Sequence, residues 1–194
     1  MMNNNCCCNS IKKALIIVDM QNDFCPGGSL AVKEGDKIVS VINQYIKQFK
    51  DEDEVIVFTR DWHPADHCSF KEYGGMWPSH CVAETKGAKF HQDIYVPEKS
   101  FIVSKADTAS KDAYSGFEAT LLDSQLKKLN IEEVWVCGLA TDYCVASTVM
   151  DALKLGYKVK ILSDAIAAVD VSAGDGEKAI AKMVSQGAEV YRLK

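Results

Sequence analysis

The sequence predicts an α/β fold, a three-layer α/β/α arrangement with a mostly parallel central sheet of about six strands. Three observations carry this. Short, β-branched apolar runs recur along the chain, and segments of helical periodicity fall between them. The runs are apolar continuously rather than at every second residue, as in strands buried on both faces.

The elements follow in order. Ala14 to Val18 is the first strand, and Asp36 to Phe49 the first helix, with Ile38, Val41, Ile42, Tyr45, Ile46 and Phe49 on one face. Val55 to Phe58 is the second strand. From Asp61 to Pro97 the rhythm breaks into a long stretch rich in Trp, His, Pro and Gly, which reads as a functional loop. Phe101 to Val103 is a strand. Ser115-Gly-Phe-Glu118 has the capping-box pattern and opens a helix to Leu129, striped by Leu121, Leu122, Leu126 and Leu129. After strand Val134 to Cys137, a helix runs from Thr141 to Leu155, striped by Val145, Thr148, Val149, Ala152 and Leu153 and stopped by Gly156. Strand Val159 to Leu162, a helix over Gly176 to Gln186 stopped by Gly187, and strand Glu189 to Tyr191 complete the pattern. Residues 1–10, with three consecutive cysteines, read as a disordered tail, and residues 11–194 as a single domain.

Composition narrows the function. The chain has 194 residues, 47% hydrophobic and 25% charged, enough for a core without staples. A formal net charge of -5 argues against a nucleic-acid binder. No apolar run approaches the roughly 18 residues of a membrane helix, and no secretory signal is present, so a soluble, cytoplasmic protein is expected. The 8 cysteines are then expected as free thiols.

In an open parallel sheet, ligands bind beyond the carboxyl ends of the strands. Polar residues collect there. Asp19 follows the first strand, Asp61 and His63 the second, Lys105 the third, and Cys144 lies in the first turn after the fourth. Cys144 is either a buried structural thiol or a nucleophile activated by a helix N-terminus. Asp19 is either a turn carboxylate or a general base. With Lys105, expected to lower the thiol pKa, they form a base, nucleophile and orienter set. Asp61-x-His63 with His80 fits a divalent metal with nitrogen and oxygen ligands, with His67 and Glu72 as further candidates. The alternative is a set of solvated or capping histidines. Phe24 and Trp77 flank these residues and suit a flat aromatic substrate.

Four blocks are more specific: Leu15-Ile-Ile-Val-Asp-Met-Gln-Asn-Asp-Phe-Cys-Pro-Gly-Gly-Ser-Leu30, Thr59-Arg-Asp-Trp-His-Pro-Ala-Asp-His-Cys-Ser-Phe70, Met76-Trp-Pro-Ser-His-Cys-Val82 with Lys105 and Asp112-Ala-Tyr-Ser-Gly-Phe117, and Gly138-Leu-Ala-Thr-Asp-Tyr-Cys-Val145. Together they resemble the nicotinamidase (pyrazinamidase) branch of the isochorismatase-like cysteine hydrolases, from Ala14 to Leu193. The resemblance implies an amidase that converts nicotinamide to nicotinate and ammonia in NAD salvage. It implies Asp19, Lys105 and Cys144 as catalytic residues and a thioester on Cys144. It implies an oxyanion hole from the Ala140 and Cys144 backbone amides, with the Leu139–Ala140 peptide cis. It assigns Asp61, His63 and His80 to one divalent ion, zinc first, iron or manganese otherwise. Phe24, Leu30, Trp77, Tyr114 and Ala140 are the implied substrate contacts, Phe24 and Trp77 sandwiching the ring. The implied partner is a small molecule, not nucleic acid or membrane, and a homo-oligomer is left open. The competing readings are a sibling hydrolase of N-carbamoyl or ureido amides, which lacks the Asp-x-His metal set, and a silent binding protein on the same fold.

Overall fold

Continuous apolar runs make each central strand part of two cores at once, and the sheet follows from that. The computed structural model describes residues 11–193. The tail expected over residues 1–10, with Cys6, Cys7 and Cys8, lies outside the described residues. The strands are β1 (Lys13–Val18), β2 (Val55–Asp61), β3 (Phe101–Lys105), β4 (Glu133–Leu139), β5 (Lys158–Ala167) and β6 (Glu189–Tyr191). Every expected run falls inside one of them. They lie in the order β3-β2-β1-β4-β5-β6, and all their pairings are parallel.

Successive side chains of β1 leave opposite faces. Leu15 and Ile17 join Ile42, Tyr45, Ile46 and Phe49 of α1 (Val39–Asp51) in one buried cluster. Ala14, Ile16 and Val18 join the other, with Leu122 and Leu126 of α2 (Leu122–Lys128), Val149 and Ala152 of α3 (Ala146–Lys154), and Met183 of α4 (Asp175–Ser185). The three layers are therefore one helix, the sheet and three helices. From β1 the chain winds outward to β2 and β3 on one side, then returns to β4, β5 and β6 on the other. The carboxyl ends of β1 and β4 flank the crevice where such sheets bind ligands.

Two helices depart from expectation. The helix expected from Ser115 to Leu129 forms only over α2. Ser115 Oγ accepts the Phe117 N–H (3.1 Å), the Gly116 N–H is given to Thr148 Oγ1 (3.0 Å), and Ala119 has φ +55, so the segment folds against α3 instead. Leu121, expected on the apolar stripe, is 72% exposed. The helix expected from Thr141 opens with a π turn, Thr141–Val145, in which the Val145 N–H reaches the Ala140 carbonyl (3.1 Å), and becomes α-helical only from Ala146. Among the described residues no helix is long and apolar enough to cross a membrane, and Cys25, Cys68, Cys81, Cys137 and Cys144 are free thiols.

Candidate active site

Four adjacent strands deliver four buried side chains to one point. Lys105 ends β3 and is the register partner of Asp61, the last residue of β2. Asp19 follows β1 with φ +48, a left-handed conformation that Asp tolerates better than most residues. Cys144 sits in the π turn after β4. The two middle strands approach so closely here that a Cβ on Gly138 (φ +110) would lie 2.0 Å from the Val18 carbonyl oxygen. The Lys105 ammonium is the hub: its Nζ lies 3.0 Å from Asp19 Oδ2, 2.5 Å from Asp61 Oδ1, 3.1 Å from the Ala113 carbonyl oxygen and 3.5 Å from Cys144 Sγ. Asp19 and Lys105 have fully buried side chains.

Two buried neighbours that sequence reasoning missed fix these groups. Thr59 Oγ1 donates to Asp19 Oδ1 (2.6 Å), which leaves Oδ2 to Lys105. The Gln21 side chain grips both sides of the Asp61 backbone: its Oε1 accepts the Asp61 N–H (2.8 Å) and its Nε2 donates to the Asp61 carbonyl (2.8 Å). Both residues stand inside the quoted motif blocks, but only the fold brings them onto their targets.

Burial and charge oppose each other at each group. Burial pushes the Cys144 thiol well above its usual range, Lys105 pulls it down, and Asp19 and Asp61 push it up again. Lys105 therefore acts on the thiol in the expected direction, but burial outweighs it and the net shift is upward. The resting group is the thiol, because desolvation of a thiolate outweighs one nearby ammonium. Burial likewise raises Asp19, against the pull of Lys105, so its carboxylate is a stronger base than an exposed one. Burial would raise Asp61 too, but Lys105 and His63 outweigh it and hold the carboxyl below its ordinary range. Burial would discharge Lys105, but Asp19 and Asp61 keep it an ammonium.

Asp61 also belongs to a second group. Asp61, His63 and His80, all buried, each offer one ligand atom, and these atoms lie within 4.8 Å of one another. The donor set fits a divalent cation. His63 Nδ1 faces the Ala106 carbonyl (3.0 Å) and His80 Nδ1 the Pro78 carbonyl (2.8 Å). A carbonyl only accepts, so both rings carry a proton on Nδ1 and turn Nε2 toward the cluster, the orientation found around metal-ligating histidines. Burial lowers His80, toward the neutral form a ligand needs. His67 does not join the set: its Nδ1 pairs with Ser69 Oγ (2.7 Å) and its Nε2 with the Lys111 carbonyl (3.1 Å), while its ring stacks on His63 at 4.1 Å. Glu72 is exposed and outside the cluster. Three protein ligands leave coordination positions open.

Beside both groups lies a small cavity lined by Phe24, Leu30, Trp77 and Tyr114 with Asp61, His80 and Cys144. Trp77 Nε1 donates to Tyr114 Oη (2.9 Å). Tyr143 and Val169, which sequence reasoning missed, complete the wall, with Tyr143 edge-on to Trp77 at 5.4 Å. Ala31 and Val32 line it as well. Ala140 does not. It is the buried residue at the head of the π turn, its carbonyl accepts the Tyr143 and Val145 amides, and the peptide before it is cis, as the resemblance implies.

The family model of the isochorismatase domain matches residues 13–194. The chain belongs to the isochorismatase family. Within that family it is 39% identical to the nicotinamidase of Escherichia coli, over 93% of this chain and 95% of that one. A pyrazinamidase of Pyrococcus horikoshii solved in complex with zinc is 48% identical, with a TM-score of 0.91 over 94% of this chain and 99% of that chain. PnC1 of L. infantum, solved in complex with nicotinate, is 37% identical, with a TM-score of 0.87 over 94% of this chain and 93% of that chain. The isochorismatase-like architecture expected from the sequence is the one these neighbours share.

Proposed function

We propose that this isochorismatase-family chain is a nicotinamidase, a metal-dependent cysteine amidase that hydrolyses nicotinamide to nicotinate and ammonia and accepts pyrazinamide-type analogues. The observation that carries the reading is Lys105, whose ammonium touches the general base, the nucleophile and a metal ligand at once. Similarity to nicotinamidases across nearly the whole chain supports it. With no membrane-crossing helix among the described residues, a cytoplasmic enzyme is the accompanying reading.

The chemistry follows from the arrangement. Nicotinamide enters the cavity with its ring between Phe24 and Trp77, and with Leu30 and Tyr114 at its edges. Asp61, His63 and His80 hold a divalent ion, zinc in our reading, which when bound supplies an electrophilic anchor for the ring nitrogen. As the carbonyl carbon comes within reach, Asp19 takes the Cys144 proton and the thiolate sulfur attacks. The proton moves during attack rather than before it, since burial holds the resting sulfur as a thiol. Lys105 keeps its charge throughout and offsets the negative charge passing between sulfur and carboxylate. The backbone amides of Ala140 and Cys144 receive the carbonyl oxygen as it becomes an oxyanion. Asp19 returns the proton to the departing nitrogen, and ammonia leaves a thioester on Cys144. Asp19 then takes a proton from water, whose oxygen attacks the thioester carbonyl carbon. The carbon–sulfur bond breaks, Asp19 returns the proton to Cys144 Sγ, and the product leaves as nicotinate with its acid proton lost to solvent.

The test is ammonia release from nicotinamide by the purified protein, before and after chelation and metal add-back, with Cys144→Ala alongside. Release that is lost on chelation, restored by zinc and absent in the variant is the expected result. A metal-replete protein that releases no ammonia would sink the reading in favour of an N-carbamoyl or ureido amide hydrolase.

A further inference from the structure

The turn that carries the nucleophile also carries a strut. Asp142, two residues before Cys144, reaches across to the segment leaving β5. Its Oδ1 accepts the Val169 N–H at 2.9 Å and its Oδ2 accepts the Asp170 N–H at 3.0 Å. Both oxygens of one carboxylate thus hold consecutive backbone amides by charge-assisted bonds. The segment is fastened again on its far side, where Asp170 Oδ1 accepts the Gly176 N–H at 2.7 Å, in the first turn of α4. Between these fastenings Val169 faces the cavity shared with Phe24, Trp77, Tyr143 and Cys144, while Val171 is 71% exposed. The strand ladder ends one residue before the segment, at the pairing of Ala167 with Leu139. From there on, the wall is placed by Asp142 and by the Asp170–Gly176 bond rather than by the sheet ladder.

We propose that Val169 is a specificity-determining wall of the substrate cavity and that Asp142 is the positioning residue that sets where it stands. The physical reasoning is that of any apolar pocket. A wall one or two methyl groups deep discriminates among ring substituents by about tenfold per methylene-sized group. It discriminates only if its backbone is fixed, and the bond that fixes the Val169 amide itself comes from the nucleophile's own turn. The wall and the nucleophile turn are thus joined directly through Asp142. Where the substrate is concerned, the proposal rests on the amidase reading above. The wall itself can be read without that reading.

Two measurements on Val169→Ala, Asp142→Ala and Asp142→Asn test it, using the full chain loaded with zinc. The first is kcat/KM for nicotinamide and for a set of ring-methylated nicotinamides. Val169→Ala raises the ratio of the best methylated amide to nicotinamide by about tenfold. Asp142→Ala raises the nicotinamide KM and shifts the same ratio in the same direction, with kcat changed by less than about threefold, a split that a loss of folded protein does not produce. Asp142→Asn, which keeps one acceptor oxygen, falls between and serves if Asp142→Ala folds poorly. The second is the rate of alkylation at Cys144, read by peptide mass, for iodoacetamide against its N-phenyl derivative. It needs no turnover. Val169→Ala and Asp142→Ala each raise the relative rate of the bulky reagent. If wild type fails to hydrolyse nicotinamide while the alkylation ratio shifts in Val169→Ala and Asp142→Ala, the amidase reading falls and the wall stands. If the ratio is unchanged in Val169→Ala, the wall is overturned. If it shifts in Val169→Ala but not in either Asp142 variant, the strut is overturned.

Discussion

The two halves of the site are held by different means. Asp19, Asp61 and Lys105 stand at the ends of three adjacent strands, whose parallel register fixes their spacing, and Cys144 stands in the turn that leaves the fourth. His63, Trp77 and His80 come from the long stretch after β2, where short local pairings do that work. The His63 N–H donates to the Cys81 carbonyl (3.1 Å), the Ala83 N–H to the His63 carbonyl (2.8 Å), and the Trp77 N–H to the Ser69 carbonyl (3.0 Å). Asp61 alone belongs to both halves, one oxygen on Lys105 and the other 3.6 Å from His63 Nε2. The strand half cannot move without the core, whereas the loop half can be disturbed by itself. In the proposed mechanism, proton transfer and nucleophilic attack belong to the first, and ring placement and metal binding to the second. The division has consequences that substitution can break.

Lys105→Met strikes the strand half and has the largest effect. It leaves Asp19 and Asp61 buried without their common cation. Breaking a buried pair by removing one partner costs about 3–5 kcal/mol, and loss of the charge beside Cys144 should lower kcat at least about a thousandfold. Asp61 gives the sign of the pH dependence. Its carboxyl is held low in the wild type, so its contribution to stability is complete above the ordinary carboxylate pKa and is lost as pH falls below it. In the variant that contribution is gone. Thermal melts in the presence of chelator should therefore show a wide gap between wild type and variant at neutral pH that narrows below the ordinary carboxylate range. A constant gap would mean that Lys105 acts by packing alone.

His80→Ala strikes the loop half and should have a smaller, different effect. Bound zinc per chain falls and the nicotinamide KM rises about ten- to hundredfold. The rate at which iodoacetamide modifies Cys144 stays close to wild type, because the hub around Lys105 does not touch His80. Unchanged metal content would remove His80 from the ligand set. A large change in Cys144 reactivity would show that the halves are not separable.

The same division explains what the sequence made legible. Strand-end residues were readable because a strand buried on both faces is apolar throughout, so the first polar residue after it marks the carboxyl edge of the sheet. Asp19, Lys105 and the Asp61-x-His63 pair were found that way, and Trp77 and His80 by residue type. Tyr143, Val169 and Asp142 carried no such mark. A valine two residues beyond a strand looks like any loop valine until a carboxylate from another turn is seen to hold it. The false helix over Ser115 to Leu121 has the opposite cause. A sound local signal, the capping box, lost to tertiary bonds from Gly116 and to a left-handed Ala119. His67 is a third kind of case. Its residue type and spacing suit a ligand, and only the partners at both ring nitrogens remove it.

Thr59 offers the finest test of the strand half, because its two branches do different things. The hydroxyl donates to Asp19 Oδ1, while the methyl is so near Gly116 that a Cβ there would come within 2.7 Å of it. Thr59→Val keeps the shape and removes the donor. The free Oδ1 can then compete with Oδ2 for Lys105, and the carboxylate is no longer held in one rotation toward the sulfur. A hydrogen bond to a charged group is worth about 1.5–3 kcal/mol, so kcat should fall about tenfold or somewhat more, with KM unchanged. Thr59→Ser keeps the donor and removes the methyl. It should hold kcat within about twofold and lose about 1 kcal/mol of stability, the ordinary cost of one buried methyl. If both variants lose kcat equally, Thr59 acts through packing against Gly116, and the orientation of Asp19 is set by Lys105 alone.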